Sequence, residues 1–95
     1  MLIDKGVSPG DVVTIKLTSG EELIASLVEE RDDFLKVNKP RVLTAANNGI
    51  GMVPYLFTVD PDRDVKIMRA TIVVLEPSDK ESATQYTRST TGLIL

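Results

Sequence analysis

The feature that most constrains the fold of this chain is an alternation of apolar and polar residues close to its start. Val13, Ile15 and Leu17 alternate with Thr14 and Lys16. Successive side chains of a strand point to opposite faces, so this spacing gives the segment one apolar and one polar face. The alternation therefore predicts a half-buried β-strand over residues 11–18.

A second strand is predicted directly afterwards, over residues 21–29. Residues 18–21 form a tight turn in which Gly20 supplies a positive φ. The strand has apolar residues on both faces, with one set at Leu23, Ala25 and Leu27 and the other at Ile24 and Val28. A strand that is apolar on both sides suits a small curled barrel better than an open sheet.

Three further aliphatic segments complete the predicted sheet. Their ranges are 34–37 with 41–44 for strand three, 52–59 for strand four and 65–75 for strand five. Pro40 interrupts strand three because it cannot donate to a ladder, so it marks an edge position or a bulge. The Asn-Asn-Gly run within residues 45–51 predicts a loop or hairpin, and residues 60–64 break the sheet again.

The end of the chain favours a short helix that packs on this sheet. Ser78 and Glu81 have the spacing of a capping box, Tyr86 is expected to pack onto the barrel, and Gly92 is a plausible helix C-cap. The sequence thus predicts a single all-β domain over residues 1–95. Its architecture is a small, strongly bent five-stranded barrel over residues 11–76, followed by a C-terminal helix or tail over residues 78–95.

Composition limits the chemistry that the chain can perform. The sequence has no Cys and no His, and therefore lacks thiolates, the commonest general base and the commonest transition-metal ligand. We expect a non-enzymatic protein with no catalytic residues, no metal and no cofactor. A net charge of −3 lowers the expectation of nucleic-acid binding, and DNA is not predicted as a partner. No signal peptide or membrane span is predicted, which indicates a cytoplasmic protein.

Two charged segments have alternative interpretations. The carboxylates of residues 60–64 alternate like the start of a calcium loop, but Val65 and Thr71 take positions that an EF-hand fills with Gly and Glu. An acidic, solvated turn is the expected structure there, with a looser cation site as the alternative. A solvated strand face, or alternatively an outer basic patch, is expected at Lys36, Lys39 and Arg41.

A family pattern lies in residues 17–27, which read LTSGEELIASL. It resembles the first motif of the Sm and LSm (Hfq-like) proteins: a Leu, two turn residues, Gly, two polar residues, an apolar residue, a small residue and an apolar one. The family usually has Gly at the small position, and this chain has Ala25. Residues 51–55, the 60–64 turn and the tail after Pro77 resemble small Sm-like proteins of marine phages and bacteria.

The resemblance implies that copies of the chain assemble into a homo-oligomeric ring. Sm-like subunits join by pairing the fourth strand of one copy with the fifth strand of the next. The residues expected at that interface are Val53, Tyr55, Phe57, Val59, Val65 and Ile67. Such a ring would act as a binding or scaffolding platform, with its ligand left open.

Single-stranded RNA is the usual ligand of the family and is the alternative function. The family positions that contact RNA in the second turn fall on Arg31, Asp33 and Leu35, while Arg63 lies in the fourth turn and Tyr55 offers a stacking ring. Arg69-Ala70 is an alternative match to the Arg-Gly pair that the family has at the fourth turn, and it lies inside predicted strand five. The two turns repel phosphate through seven carboxylates, Glu29, Glu30, Asp32, Asp33, Asp60, Asp62 and Asp64. Their charge favours a protein-binding platform.

Overall fold

A computed structural model describes residues 6–91 as an antiparallel sheet followed by one helix. The strands are β1 Val12–Leu17, β2 Glu22–Glu30, β3 Phe34–Ala46, β4 Gly49–Pro54, β5 Asp64–Met68 and β6 Ile72–Pro77. A 3₁₀ turn at Arg69–Thr71 joins β5 to β6, and helix α1 covers Lys80–Thr91. The mostly-β class and the C-terminal helix are confirmed. The prediction of five strands was wrong, because the described residues form six.

The sheet branches at its longest strand, β3. The strand order is β4-β3-β2-β1-β6, and β5 also pairs with β3. The first half of β3 pairs with β5, with Phe34 opposite Met68, and its second half pairs with β4, with Ala46 opposite Gly49. Among residues 6–91 the two ends of this path do not pair with each other, so the sheet is open.

The first hairpin forms as its sequence predicts. Ile15 lies opposite Leu23 in the antiparallel pair of β1 and β2. Gly20 has a φ of 104° in the turn between them, a conformation that a side chain would strain. Its backbone nitrogen donates to the carbonyl oxygen of Leu17 at 2.9 Å. The period-two pattern and the glycine turn therefore fix this part of the fold locally.

The interruption predicted at Pro40 is a β-bulge in the middle of β3. Ile24 lies opposite Arg41 and Ser26 lies opposite Asn38, so β3 advances three residues where β2 advances two. Lys39, within the extra step, has a φ of 51°. A bulge bends the strand that carries it and increases its twist. The bend lets the two halves of β3 serve two different partner strands.

The last two predicted strands have the wrong limits. Strand four begins at Gly49 and ends at Pro54, and residues 55–63 leave the sheet. Strand five is two strands, because the chain turns at Arg69–Thr71. The Thr71 hydroxyl closes that turn by donating to the Met68 carbonyl at 2.7 Å, and the Arg69 nitrogen donates to the Asp33 carbonyl at 2.9 Å. These bonds pair the Met68 carbonyl and the Arg69 nitrogen outside the ladder, at the point where predicted strand five would continue.

One face of the sheet carries a continuous aliphatic core. Burial of these side chains is the main term that stabilises the fold. Its buried members are Val13, Ile15, Leu17, Leu23, Ala25, Leu27, Leu35, Val37 and Ile67. On the opposite face of β2, Ile24 is fully buried as well, which confirms that this strand is apolar on both sides.

Helix α1 begins one residue later than the predicted capping box. The Asp79 carboxylate accepts from the Ser82 backbone nitrogen at 2.8 Å, so Asp79 is the N-cap. Ser78 instead shares a hydrogen bond of 2.7 Å with the Thr14 hydroxyl of β1. Tyr86 is only 3% exposed, which confirms that it packs on the sheet. The predicted C-cap, Gly92, lies outside the described residues.

Candidate functional site

Three strands have one edge without a partner strand among residues 6–91: β4 and β5, which pair only with β3, and β6, which pairs only with β1. We consider the edges of β5 and β6, which lie at the two ends of the path β5-β3-β2-β1-β6. The backbone donors and acceptors along such an edge can pair with another chain. These two edges are the candidate functional site of the protein.

Both edges carry exposed apolar side chains. On β6, Val73 is 62% exposed and its neighbour Val74 is also exposed, and Met68 is exposed at the end of β5. Val73 has no partner across the ladder, because Lys16 lies opposite Val74 and Leu17 lies opposite Ile72. Val73 is therefore the extra residue of a bulge, which turns its side chain towards solvent.

The residues predicted for the interface lie in three different places. Val53 is exposed on β4, while Val65 and Ile67 lie on β5 and contribute to the core. Tyr55, Phe57 and Val59 belong to the segment that leaves the sheet after β4. Tyr55 packs against the core. The exposed apolar residues of β6, Val73 and Val74, were not among the predicted interface residues, although their apolar run was visible in the sequence.

The residues considered for RNA binding are divided between the two ends of β5. Arg31 and Asp33 lie in the turn that precedes β3, beside the Met68 end of β5. Arg63 precedes Asp64 at the other end, about 13 Å away along the strand at 3.3 Å per residue. The structure therefore does not bring Arg31 and Arg63 into one site.

Arg69 is the basic residue that the fold places beside the turn at residues 31–33. Its guanidinium lies 3.0 Å from a carboxylate oxygen of Glu30. The prediction that Arg69 lies inside a strand was wrong, because it begins the turn between β5 and β6. The Arg69-Ala70 pair was the available sequence signal, but its turn depends on a bond to Asp33 that no local pattern reveals.

The turn between β2 and β3 is acidic even with its ion pairs formed. Desolvation acts to raise the pKa of Glu29, but the hydrogen bond and charge of Arg31 and the charge of Lys36 lower it overall. Arg31 donates to Glu29 at 2.7 Å. Lys36 also pairs with Glu29, and Arg69 pairs with Glu30. Asp32 and Asp33 form no ion pair with residues 6–91 and keep the turn acidic. This end of the sheet suits a cationic partner better than a phosphate chain.

The carboxylates of the turn at residues 60–64 have partners within the chain. The Asp60 carboxylate accepts from the Asp62 nitrogen at 2.9 Å, and the Asp64 carboxylate accepts from the Asn38 side-chain amide at 2.9 Å. Asp62 pairs with the Lys39 ammonium at 3.0 Å. Across residues 6–91 no three acidic, His or Cys side chains gather as a metal-binding group.

No protein-family model matches this chain, and no curated protein matches it. In the part of the chain that the structure describes, no helix has the length and apolar character needed to cross a bilayer.

Proposed function

We propose that the protein is a non-enzymatic Sm-like module whose copies form a homo-oligomeric ring and act as a binding or scaffolding platform. The joining strands are β5 of one copy and β6 of the next. They take the roles of the fourth and fifth strands of the family, since β4 forms an additional hairpin with β3. The observation that carries the proposal is that β5 and β6 each have an edge unpaired within residues 6–91, with exposed apolar side chains.

Chain connectivity supports a sheet that curls towards a barrel. β5 and β6 lie at opposite ends of the path β5-β3-β2-β1-β6, which in a flat sheet would separate them by about 19 Å. The 3₁₀ turn between them has three residues. Met68 and Ile72 can therefore be at most about 14 Å apart, because four residue steps reach no further. A curled sheet brings the two ends close together.

Two different edges on one subunit favour a closed ring. A contact between β5 of one copy and β6 of the next is head-to-tail, and repeating it closes a ring when the rotation between copies fits. Pairing would satisfy the backbone groups of both edges and cover Met68, Val73 and Val74. Each copy would keep its acidic turn free, and the ring would repeat that charge around one face.

The acidic turn, repeated in every copy of the ring, supports a platform that binds a cationic protein surface. Several copies of a turn in which Asp32 and Asp33 form no ion pair within the described part of the chain present a field that attracts basic partners and repels phosphates. The RNA-binding alternative would need an added basic surface at this turn. Arg69 is held there by Glu30 and Arg31 by Glu29.

The assembly is tested by light scattering coupled to size-exclusion chromatography of the full chain at micromolar concentration. We expect a mass of several copies for the native protein. Val73→Glu should lower that mass, because it places a charge on the β6 edge that the next copy would cover. A native protein that is strictly monomeric overturns the ring.

Ile50→Glu is the matched control for Val73→Glu. Ile50 is exposed to a similar extent, 59%, but it lies on β4. The Ile50 carbonyl also accepts from the Gln85 side chain at 3.4 Å, so part of the β4 edge is occupied by α1. We expect the control to keep the native mass. Dissociation by Ile50→Glu and not by Val73→Glu would place the contact on β4 and refute the proposed pairing.

A further inference from the structure

A cavity of about 510 Å³ lies beside the Asp64 end of β5, and Val65 is one of its lining residues. It is bounded by the bulge of β3, the end of β4 and the segment that leads to β5, and Thr90 of α1 also lines it. Its volume falls in the range of sites that hold small molecules. The cavity was not visible in the sequence, because its walls come from three separate stretches of the chain, residues 39–41, residues 54–65 and Thr90.

One part of the wall is apolar and open to solvent. Leu56, Phe57 and Val59 line it together with three prolines of the same region. The Phe57 ring is 83% exposed, although exposing an aromatic ring of this size to water is unfavourable. A flat apolar ligand in the cavity would cover the ring. This part of the wall therefore favours a ligand that has an apolar body.

The other part of the wall is cationic. Lys39, Arg41 and Arg63 line the cavity, and the Lys39 ammonium is already paired with Asp62 at 3.0 Å. The guanidinium groups of Arg41 and Arg63 form no ion pair and no hydrogen bond with any side chain of residues 6–91. A guanidinium presents a planar fork that matches a carboxylate. Two such guanidinium groups beside an apolar wall are the features of a site that binds an organic anion.

The charge balance limits the ligand to a small negative charge. Besides its three cations the cavity is lined by Asp60 and Asp62, which leaves one net positive charge in a chain whose overall net charge is −3. A monoanion would neutralise this excess. A ligand with several phosphates would meet repulsion from both carboxylates.

From these observations we propose that the cavity binds a small organic acid with an apolar, aromatic body and a single carboxylate. The body lies against Phe57 and the neighbouring aliphatic wall, and the carboxylate accepts hydrogen bonds from Arg41 and Arg63. The groups that contact the ligand belong to one copy of the chain, and the cavity adjoins the joining strand β5 through Val65.

The proposal is tested by calorimetric titration of the full chain with naphthoate and with naphthamide. The two probes share an aromatic body, and only naphthoate carries a charge. We expect naphthoate to bind at least about tenfold more tightly, because the amide cannot form charge-assisted hydrogen bonds with the guanidinium groups. Equal affinities, or no naphthoate binding at millimolar concentration, would overturn the proposal.

Variants locate the site within the chain. Arg63→Gln should weaken naphthoate binding about tenfold and leave naphthamide binding unchanged. Arg88→Gln removes the same charge from the exposed face of α1, outside the cavity, and should leave both affinities as they are. Phe57→Ser should weaken both probes. Equal effects of Arg63→Gln and Arg88→Gln would show that naphthoate responds only to overall charge, which also overturns the proposal.

Discussion

The hydroxyl of Tyr86 lies 3.1 Å from the backbone nitrogen of Ser26 and accepts its hydrogen bond. The same hydroxyl lies 2.9 Å from the carbonyl oxygens of both Asn38 and Lys39, and it shares its one proton between these two acceptors. All three backbone groups lie at the bulge between β2 and β3, where the register of the ladder shifts. The Tyr86 side chain of α1 thus provides a hydrogen-bond partner for backbone groups at the bulge.

Replacing Tyr86 with Phe should destabilise the protein through these unpaired groups. The partly buried nitrogen of Ser26 and the carbonyls of the bulge would lose their partner, at a cost of about 1–3 kcal/mol in the free energy of unfolding. Urea unfolding followed by circular dichroism measures the change. Tyr55→Phe is the control, because the Tyr55 hydroxyl has no hydrogen bond with any residue in the range 6–91. Equal losses in the two variants would contradict the role of the Tyr86 hydroxyl.

Stability should fall in strongly alkaline solution because of the same residue. Desolvation raises the pKa of Tyr86 above its ordinary value of 10.0. The unfolded chain therefore releases this proton first, so the contribution of Tyr86 is fully present below pH 10.0 and is lost as the pH rises through the folded-state pKa.

Ultraviolet absorbance of tyrosinate follows this ionisation directly. The chain has two tyrosines. We expect the part of the absorbance change that comes from Tyr86, the late component, to appear at a pH above the ordinary pKa of 10.0. That component should be missing in Tyr86→Phe. A late component that persists in this variant would assign it to Tyr55 instead.

Asp79→Ala should lower the melting temperature, because the first turn of α1 loses its cap. The hydrogen bond from the Ser82 nitrogen, followed by that from the Ser82 hydroxyl, lowers the pKa of Asp79 below its ordinary value of 3.8. Its contribution is present above that value and is lost as the pH falls through the folded-state pKa. Asp79→Asn keeps an acceptor for the cap. It should melt closer to the native protein at neutral pH and lack this part of the acid dependence, as thermal melts across the acid range would reveal.

Filter binding with oligo-U and oligo-A across a salt series tests the RNA alternative. We expect no retention even at low salt, where phosphate contacts are strongest, because the turn at residues 31–33 is acidic. Retention that falls as salt rises would favour RNA binding. Its loss in Arg69→Gln, and not in Arg88→Gln, would place the RNA at the turn between β5 and β6.

Local patterns predicted the first half of the fold, where their causes are local. The alternation at Val13 and Ile15 and the positive φ of Gly20 depend on neighbouring residues alone, and both are confirmed. Pro40 likewise marks its bulge through a missing backbone donor. These signals operate over a few residues, so the sequence displays them directly.

The later elements depend on contacts between distant residues. Ser78 and Asp79 are both good N-caps, and the choice of Asp79 follows from the bond between Ser78 and Thr14 of β1. The break between β5 and β6 is fixed by the carbonyl of Asp33. For the same reason the candidate site was only partly predicted. Arg31 and Arg63 both lie in turns, and only the register of β5 shows that these turns are at opposite ends.

The branching of β3 gives the protein a projecting arm. β2 pairs with β3 only as far as Val42, and beyond it the strand pairs with β4 alone as far as the tip at Asn47 and Asn48. Residues 44–50 are exposed. A peptide tag or spectroscopic label inserted at this tip would lengthen a structure that no other strand depends on, which gives the molecule a convenient attachment point.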